Sequence, residues 1–402
     1  MNNVVSMAGA KAQQAPVEGT YKTTGWSGDT NMTVSNQWMR RPADQKFLSL
    51  DDLFEYRLGE AEASRADTVD SRKIEVIADA SEPTKMSLEI TTENGTVLPC
   101  SPTHYSFGQA CGLVKAPAGY LRRLPGKLAA ANLQYGLLTH RAELMKSYIN
   151  TETGELKALT GPDYGRIYDH ELVDVFREIA GDGSMWKVPG MLTGQGYNPF
   201  VDPTKDTTTL YASDRDCFIF LVDDTHPIEI GKLPNGDPDL VFRGLYAWNS
   251  EVGDKSFGVA SLLMRGVCAN RILWGTQDFE QITIRHSKFA PSRFAEEIAP
   301  SIKEYAFGSA EYVQKGIKAA QEAVVARSKD EAGEFLASLK IGKKMATAIT
   351  QKVLDEEGKE PESVWDFVNG VTAYARAIEH TDERVAVEKI AGKLMEKVAK
   401  AA

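Results

Sequence analysis

Residues 240–274, LVFRGLYAWNSEVGDKSFGVASLLMRGVCANRILW, decide how this chain is read. Apolar, aromatic, basic and small residues interleave there, and only EVGDK at 251–255 looks like a connection. LVFRGLYAWNS reads as one strand and SFGVASLLMRGV as a second, in preference to a buried helix. Gly253 can supply the positive φ of a tight connection, so the two are expected to form a hairpin. Side-chain alternation then places Arg243, Leu245, Ala247 and Asn249 on one face, and Tyr246 and Trp248 on the other. Arginines and aromatics of this strand cannot share a surface.

Working outward, DCFIFLVDD precedes the hairpin as a third strand, joined to it through the turn-rich LPNGDPD. QITIRHS follows as a short fourth strand, completing a central antiparallel sheet. Beyond Pro291 the pattern is helical: one long amphipathic stretch at 292–327, then shorter ones at 329–339, 343–357, 362–377 and 382–399. Upstream, Ser49 is a natural N-cap for a helix carrying Leu50, Leu53, Phe54 and Leu58 on one side. KIEVIAD and KMSLEITT alternate with period two, and Asn94-Gly95 marks a hairpin turn. Helical patterns at 105–113 and 126–141 lead to a second hairpin, LMKSYIN and ELKALT, turning at 152–154. Asp169 is expected to cap the helix HELVDVFREIA, and residues 186–209 read as irregular loop. The fold class is therefore α+β. Its expected parts are a flexible arm at 1–45, an acidic α+β region at 46–200, the central sheet with its following helix at 201–328, and a helical region at 329–402.

Composition limits the function. The chain has 402 residues, 42% hydrophobic and 25% charged, and its net charge is −10. That balance suits a globular protein and opposes one that coats nucleic acid with its whole surface. From 46 to 98, acids outnumber cations twofold. Four cysteines, Cys100, Cys111, Cys217 and Cys268, form no disulfide framework, which points to a reducing compartment. No apolar run suits a membrane span, and the N-terminus lacks the basic start and apolar core of a secretory signal. The expected location is cytoplasmic, with no membrane partner and no cofactor.

Four constellations could carry chemistry. Cys100, His104 and Cys111 are metal-ligand types, but a structural zinc site needs a fourth ligand and closer cysteine spacing. Asp214, Asp216, Asp223 and Asp224, with His226, surround one strand as the carboxylates of a metal-dependent nuclease would. Cys217 and Cys268 lie in apolar runs where thiols are inert, and no nucleophile elbow or Walker-type phosphate loop occurs. The fourth is basic. Between 240 and 294, Arg243, Lys255, Arg265, Arg271, Arg285, Lys288 and Arg293 outnumber Glu251, Asp254, Asp278 and Glu280. Tyr246, Trp248, Trp274 and Phe289 lie among them, and cations with aromatics suit single-stranded nucleic acid.

SDRDCFIFLVDD, RGLYAWNSEVGDKSFGVASLLMRGVCANRILWG and ITIRHS together resemble a family of phage- and plasmid-borne proteins defined by a domain of unknown function. ALTGPDYGRIYDHELVDVF and SVWDFVNGVTAYARAIEH extend the resemblance over roughly 105–380, with Asn249-Ser250-Glu251-Val252-Gly253 and Cys268-x-Asn270 its most specific parts. It implies a mobile-element setting, a homo-oligomer and a role beside DNA metabolism, with no catalytic residues to carry over. Separately, antiparallel strands followed by a long helix are similar in order to the core of phage single-strand annealing proteins, an analogy of fold alone.

The leading expectation is a non-enzymatic accessory protein binding nucleic acid in recombination or replication. Arg243, Arg265, Arg271, Arg285, Lys288 and Arg293 would contact phosphates, and Trp248 or Trp274 would stack on bases. The alternatives are a nuclease using the four aspartates, and a host-interaction or defence-evasion protein acting through an acidic surface.

Overall fold

The computed structural model describes residues 43–79, 86–181, 184–189, 202–205, 208–232, 236–265, 271–272, 282–375, 378, 387 and 390–397. Expectations for the arm at 1–42, for Trp274 and for Cys268-x-Asn270 lie outside these residues, as do the side chains of Arg265 and Arg271.

Within them the α+β class holds. The strands are β1 (Lys46–Phe47), β2 (Ser64–Asp70), β3 (Ile74–Ala78), β4 (Met86–Thr91), β5 (Val97–Pro102), β6 (Leu144–Asn150) and β7 (Glu155–Thr160). They continue with β8 (Trp186–Lys187), β9 (Leu210–Ala212), β10 (Cys217–Lys232), β11 (Pro238–Asn249), β12 (Phe257–Arg265), β13 (Arg271–Ile272) and β14 (Ile282–Ile284). The central sheet runs β1-β9-β10-β11-β12-β13, with β14 also on β12 and β8 also on β10. Strands from both sides of residue 200 thus share one sheet. The second sheet runs β2-β6-β7-β5-β4-β3, antiparallel except for the β5–β7 pair.

The helices are α1 (Leu50–Glu62), α2 (His104–Leu113), α3 (Ala118–Leu121), α4 (Gly126–Thr139), α5 (Asp169–Ile179), α6 (Ala290–Arg293), α7 (Ala299–Phe307), α8 (Glu311–Glu322), α9 (Lys329–Ser338), α10 (Lys343–Glu357) and α11 (Val364–Ala375). Ser49 caps α1 as its sequence suggests, its side chain accepting the Asp52 N–H at 3.0 Å. Asp169 does not cap α5. It is the first helical residue, with Tyr168 at the N-cap, and its carboxylate is buried and committed elsewhere.

The β11–β12 hairpin forms as expected, and Gly253 takes φ +91° in its turn. Its burial departs from expectation, because both faces of β11 are covered. Leu245 and Ala247 join Cys217, Ile219, Leu221, Phe257 and Val259 in a core with Phe176, Ile302 and Ala306. On the other face, Phe242 and Tyr246 pack with Phe218, Phe220, Val222 and Leu262. A strand apolar on both sides belongs in the middle of a sheet, which is where β11 lies.

Arg243 is therefore no surface cation. It is 3% exposed and pairs directly across the ladder with Asp223, Nη2 to Oδ2 at 2.8 Å. Its Nη1 donates to the Gly308 carbonyl at 3.0 Å. That contact accompanies a break in the long helical pattern expected over 292–327. The segment instead runs through α6, a π-turn at Phe294–Ile298 and α7, stops at Gly308, and restarts as α8. A continuing helix would offer the Gly308 carbonyl to an amide four residues on. Here the guanidinium takes it.

A buried ion pair is most costly when half of it is removed, because the remaining charge has no water. Asp223→Ala is expected to destabilise the fold by about 3–5 kcal/mol. Adding Arg243→Met is expected to recover most of that loss, both measured by denaturant unfolding. A single-variant loss as small as a surface pair's would contradict this placement.

Candidate nucleic-acid interface

The acidic constellation does not converge on an open metal site. Asp216 binds Lys255 Nζ at 2.6 Å and the Ser213 hydroxyl at 2.7 Å. Asp223 serves Arg243, Asp224 pairs with Lys187, and Asp214 stands exposed beside Arg215. Among the described residues, no three His, Cys, Asp or Glu side chains gather closely enough to hold a metal. Cys100 and Cys111 are buried packing residues of the second sheet's core, and burial pushes the Cys100 thiol up to about 12. His104 points elsewhere, its Nδ1 lying 3.1 Å from Arg215.

Trp248 cannot serve as a stacking platform. Its indole stacks on Tyr246 at 5.3 Å and covers Gly258, where an added Cβ would lie 2.0 Å from the ring. Only glycine allows that approach. Of the expected basic set, Arg285, Lys288 and Arg293 are exposed. They lie on one short corner running from the end of β14 into α6. Phe289, 66% exposed, stands among them with Lys288 Nζ 4.9 Å from its ring centre. Among the described residues neither Arg285 nor Lys288 has a carboxylate partner. Arg293 pairs with Glu297 at 3.0 Å, but both ends are in solvent, where such pairs are weak enough for a phosphate to displace.

What fixes this corner is the residue pointing the other way. His286 is buried, stacks on Tyr164 at 4.9 Å, and has Nδ1 3.1 Å from the Gly165 carbonyl. Burial pushes its imidazole towards the neutral form. Gly165 N–H donates back to the His286 carbonyl at 3.3 Å, and a Cβ on Gly165 would lie 2.0 Å from the Ser287 carbonyl oxygen. Arg285 and Lys288 are thus presented outward from a pinned backbone.

The pin belongs to a larger polar cluster that sequence reasoning missed. At the β11–β12 turn, the Glu251 carboxylate accepts the Asp169 N–H at 2.8 Å and the Tyr148 hydroxyl at 3.3 Å. Arg166 Nε donates to the Glu251 carbonyl at 2.9 Å, and its guanidinium lies 4.0 Å from the Tyr148 ring centre. Asn249 Nδ2 donates to the Ile167 carbonyl and to Asp169, which also pairs with buried Arg57 at 3.1 Å. Tyr164 O–H donates to the Ser250 carbonyl at 2.7 Å, and Gln109 to that of Val252 at 2.8 Å. The signal was present in the sequence: NSEVG places three polar residues directly after an apolar strand. The partners of Asn249 and Glu251 lie 80 to 103 residues away in sequence, and nothing local announces them. Every cluster residue from 249 to 252 is buried, so its chemistry is structural.

Burial, with help from Glu251 and against Arg57, raises the Asp169 carboxyl to about 7. A carboxyl whose pKa is higher folded than unfolded holds its proton longer in the folded state. Stability from this group therefore falls as pH rises from about 4 to 7, and the loss is complete above 7. Relative to Asp169→Asn, the native chain is expected to lose melting temperature between pH 5 and pH 7. Parallel melting curves across that range would contradict it.

No family model matches this chain, and neither a curated protein nor a solved structure matches it.

Proposed function

We propose that this chain is a non-enzymatic, nucleic-acid-binding accessory protein of a phage or plasmid. In this reading it works in the host cytoplasm, in recombination or replication, and holds single strands at the 285–293 corner. One observation carries the reading. Arg285 and Lys288, exposed and without carboxylate partners among the described residues, flank an inward His286 and adjoin the exposed ring of Phe289. Cations on a fixed backbone neutralise phosphates, and an exposed ring stacks on any base, so the pairing suits sequence-tolerant binding of a single strand. The net charge of −10 confines such binding to a local face.

The resemblance to phage and plasmid proteins supports the genetic setting, whereas the analogy with annealing proteins loses its long helix at the Gly308 break. Arg265 ends β12 and Arg271 opens β13, at the opposite end of β12 from the Phe257 end where β14 leads into the corner.

Fluorescence anisotropy with a labelled oligothymidylate of about 16 nucleotides, the upper site size of a single-strand-binding module, tests this. Affinity is expected to fall steeply with salt, and Arg285→Ala with Lys288→Ala to reduce the log–log salt slope by about 1.4. Phe289→Ala is expected to cost about 1–3 kcal/mol of binding. Absence of binding at low salt would remove the reading. Magnesium-dependent cleavage abolished by Asp216→Ala would replace it with the nuclease.

A further inference from the structure

A second surface has the opposite charge character from the chain as a whole. Residues 94–142 contain no aspartate or glutamate, although the protein carries −10. The same stretch holds Lys115, Arg122, Arg123, Lys127 and Arg141. Lys115, Arg123, Lys127 and Arg141 are exposed, and no ion pair engages them among the described residues. Arg122 is held in place by donating to the His104 carbonyl at 2.6 Å.

Helix α4 lies at the centre of this stretch. Ala129, Ala130, Leu133 and Leu137 face the sheet. At 100° per residue, Leu128, Ala131, Tyr135 and Leu138 gather on the opposite side, beside Lys127. All four are exposed, Tyr135 at 71%, and Tyr120 on α3 is 53% exposed. A helix apolar on both sides is ordinarily covered on both. The nearest strand carboxylates do not intrude: Glu75 and Glu89 pair with each other across β3 and β4. They alternate with Ile74, Leu88 and Ile90, which pack beneath the helices, so they belong to the sheet's other face.

The chain connects this surface to the 285–293 corner, past Glu143, which pairs with His140 at 3.5 Å. From α4 the chain passes His140 and Arg141 into β6, where Leu144 is exposed and Lys146 Nζ donates to the Tyr164 carbonyl at 3.0 Å. Tyr164 is the residue that stacks on His286.

We infer that the α3–α4 face, with Lys115, Arg123, Lys127, Arg141, Tyr120 and Tyr135, is a second contact surface for single-stranded nucleic acid. It extends the strand beyond the corner, and in naming that longer path it rests on the function proposed above. Charge complementarity selects the occupant. The cations are spread along and beyond a helix about 21 Å long, as a linear polyanion requires. The two exposed phenol rings offer stacking faces to its bases.

Lys115 provides an internal control. It closes α2 in the left-handed conformation at φ +57°, where glycine is the ordinary residue, and Lys340 does the same after α9 at φ +62°. Glycine at either position relieves strain and raises stability. Lys115→Gly is expected to stabilise the fold and weaken binding, whereas Lys340→Gly stabilises it and leaves binding unchanged.

Anisotropy with oligothymidylates of about 8 and about 30 nucleotides separates the two surfaces. Arg123→Ala with Lys127→Ala, and separately Tyr135→Ala, are expected to weaken the longer strand at least about fivefold and leave the shorter one unchanged. Arg285→Ala with Lys288→Ala weakens both. Full affinity of both helix variants for the longer strand overturns this inference and leaves the corner standing. Loss in the helix variants with none in the corner variant upholds the α3–α4 face and overturns the corner. Flotation of the protein with phosphatidylglycerol vesicles, lost in Leu128→Asp and without oligonucleotide binding, assigns the face to a membrane and overturns both.

Discussion

Glu251 sits on a turn between two strands of one sheet and is bonded to Tyr148 of the other and to the segment 166–169 that opens α5. Its carboxylate receives the first amide of α5 and the Tyr148 hydroxyl from β6, while its carbonyl receives Arg166. Within the same bonded cluster, Asp169 and Arg57 form a buried ion pair. Two carboxylates and two guanidiniums inside a protein are tolerable only together, since loss of one strands the others away from water. This makes the two sheets interdependent. Withdrawing the hairpin would leave Arg166, the Asp169 amide and the Tyr148 hydroxyl without the partners that Glu251 supplies.

That constraint explains how an acidic protein can present a precise basic corner. His286 is held by Tyr164 and Gly165, and Tyr164 is held by the Ser250 carbonyl of the same turn. From 285 to 290 only His286 and Ala290 point inward, and their packing leaves Arg285, Ser287, Lys288 and Phe289 exposed. A backbone fixed in this way removes one ordering cost that a ligand would otherwise have to meet. The buried cations do different work. Arg243 and Arg57 hold helix ends and loop carbonyls, and neither reaches solvent.

Much of the fold was legible because its signals are local. Ser49 as a cap, Asn94-Gly95 and Gly253 as turns, and period-two alternation in KIEVIAD and KMSLEITT each depend on neighbours in sequence. Arg243 was misread because its partner is fixed by register. Asp223 and Arg243 face each other only in the unshifted part of a ladder whose pairing slips between Asp223 and Ile228 and again near Gly231. No count from the turn would have matched them. Burial of both faces of β11 was equally hidden, since alternation says which residues share a side and not what covers it. The corner was legible as composition, though not the separation of Arg285 and Lys288 from the buried Arg243. The carboxylate-free stretch at 94–142 was fully visible as charge. Its meaning depends on α4 lying outermost on the sheet.

Hydrogen–deuterium exchange of the full chain, with and without a saturating single-stranded oligonucleotide, examines the central claim most directly, because it reports contact along the whole sequence at once. Protection is expected at 285–293 and over 115–141, with 214–224 unchanged. Protection centred on the aspartates at 214–224, or no protection anywhere, would contradict it.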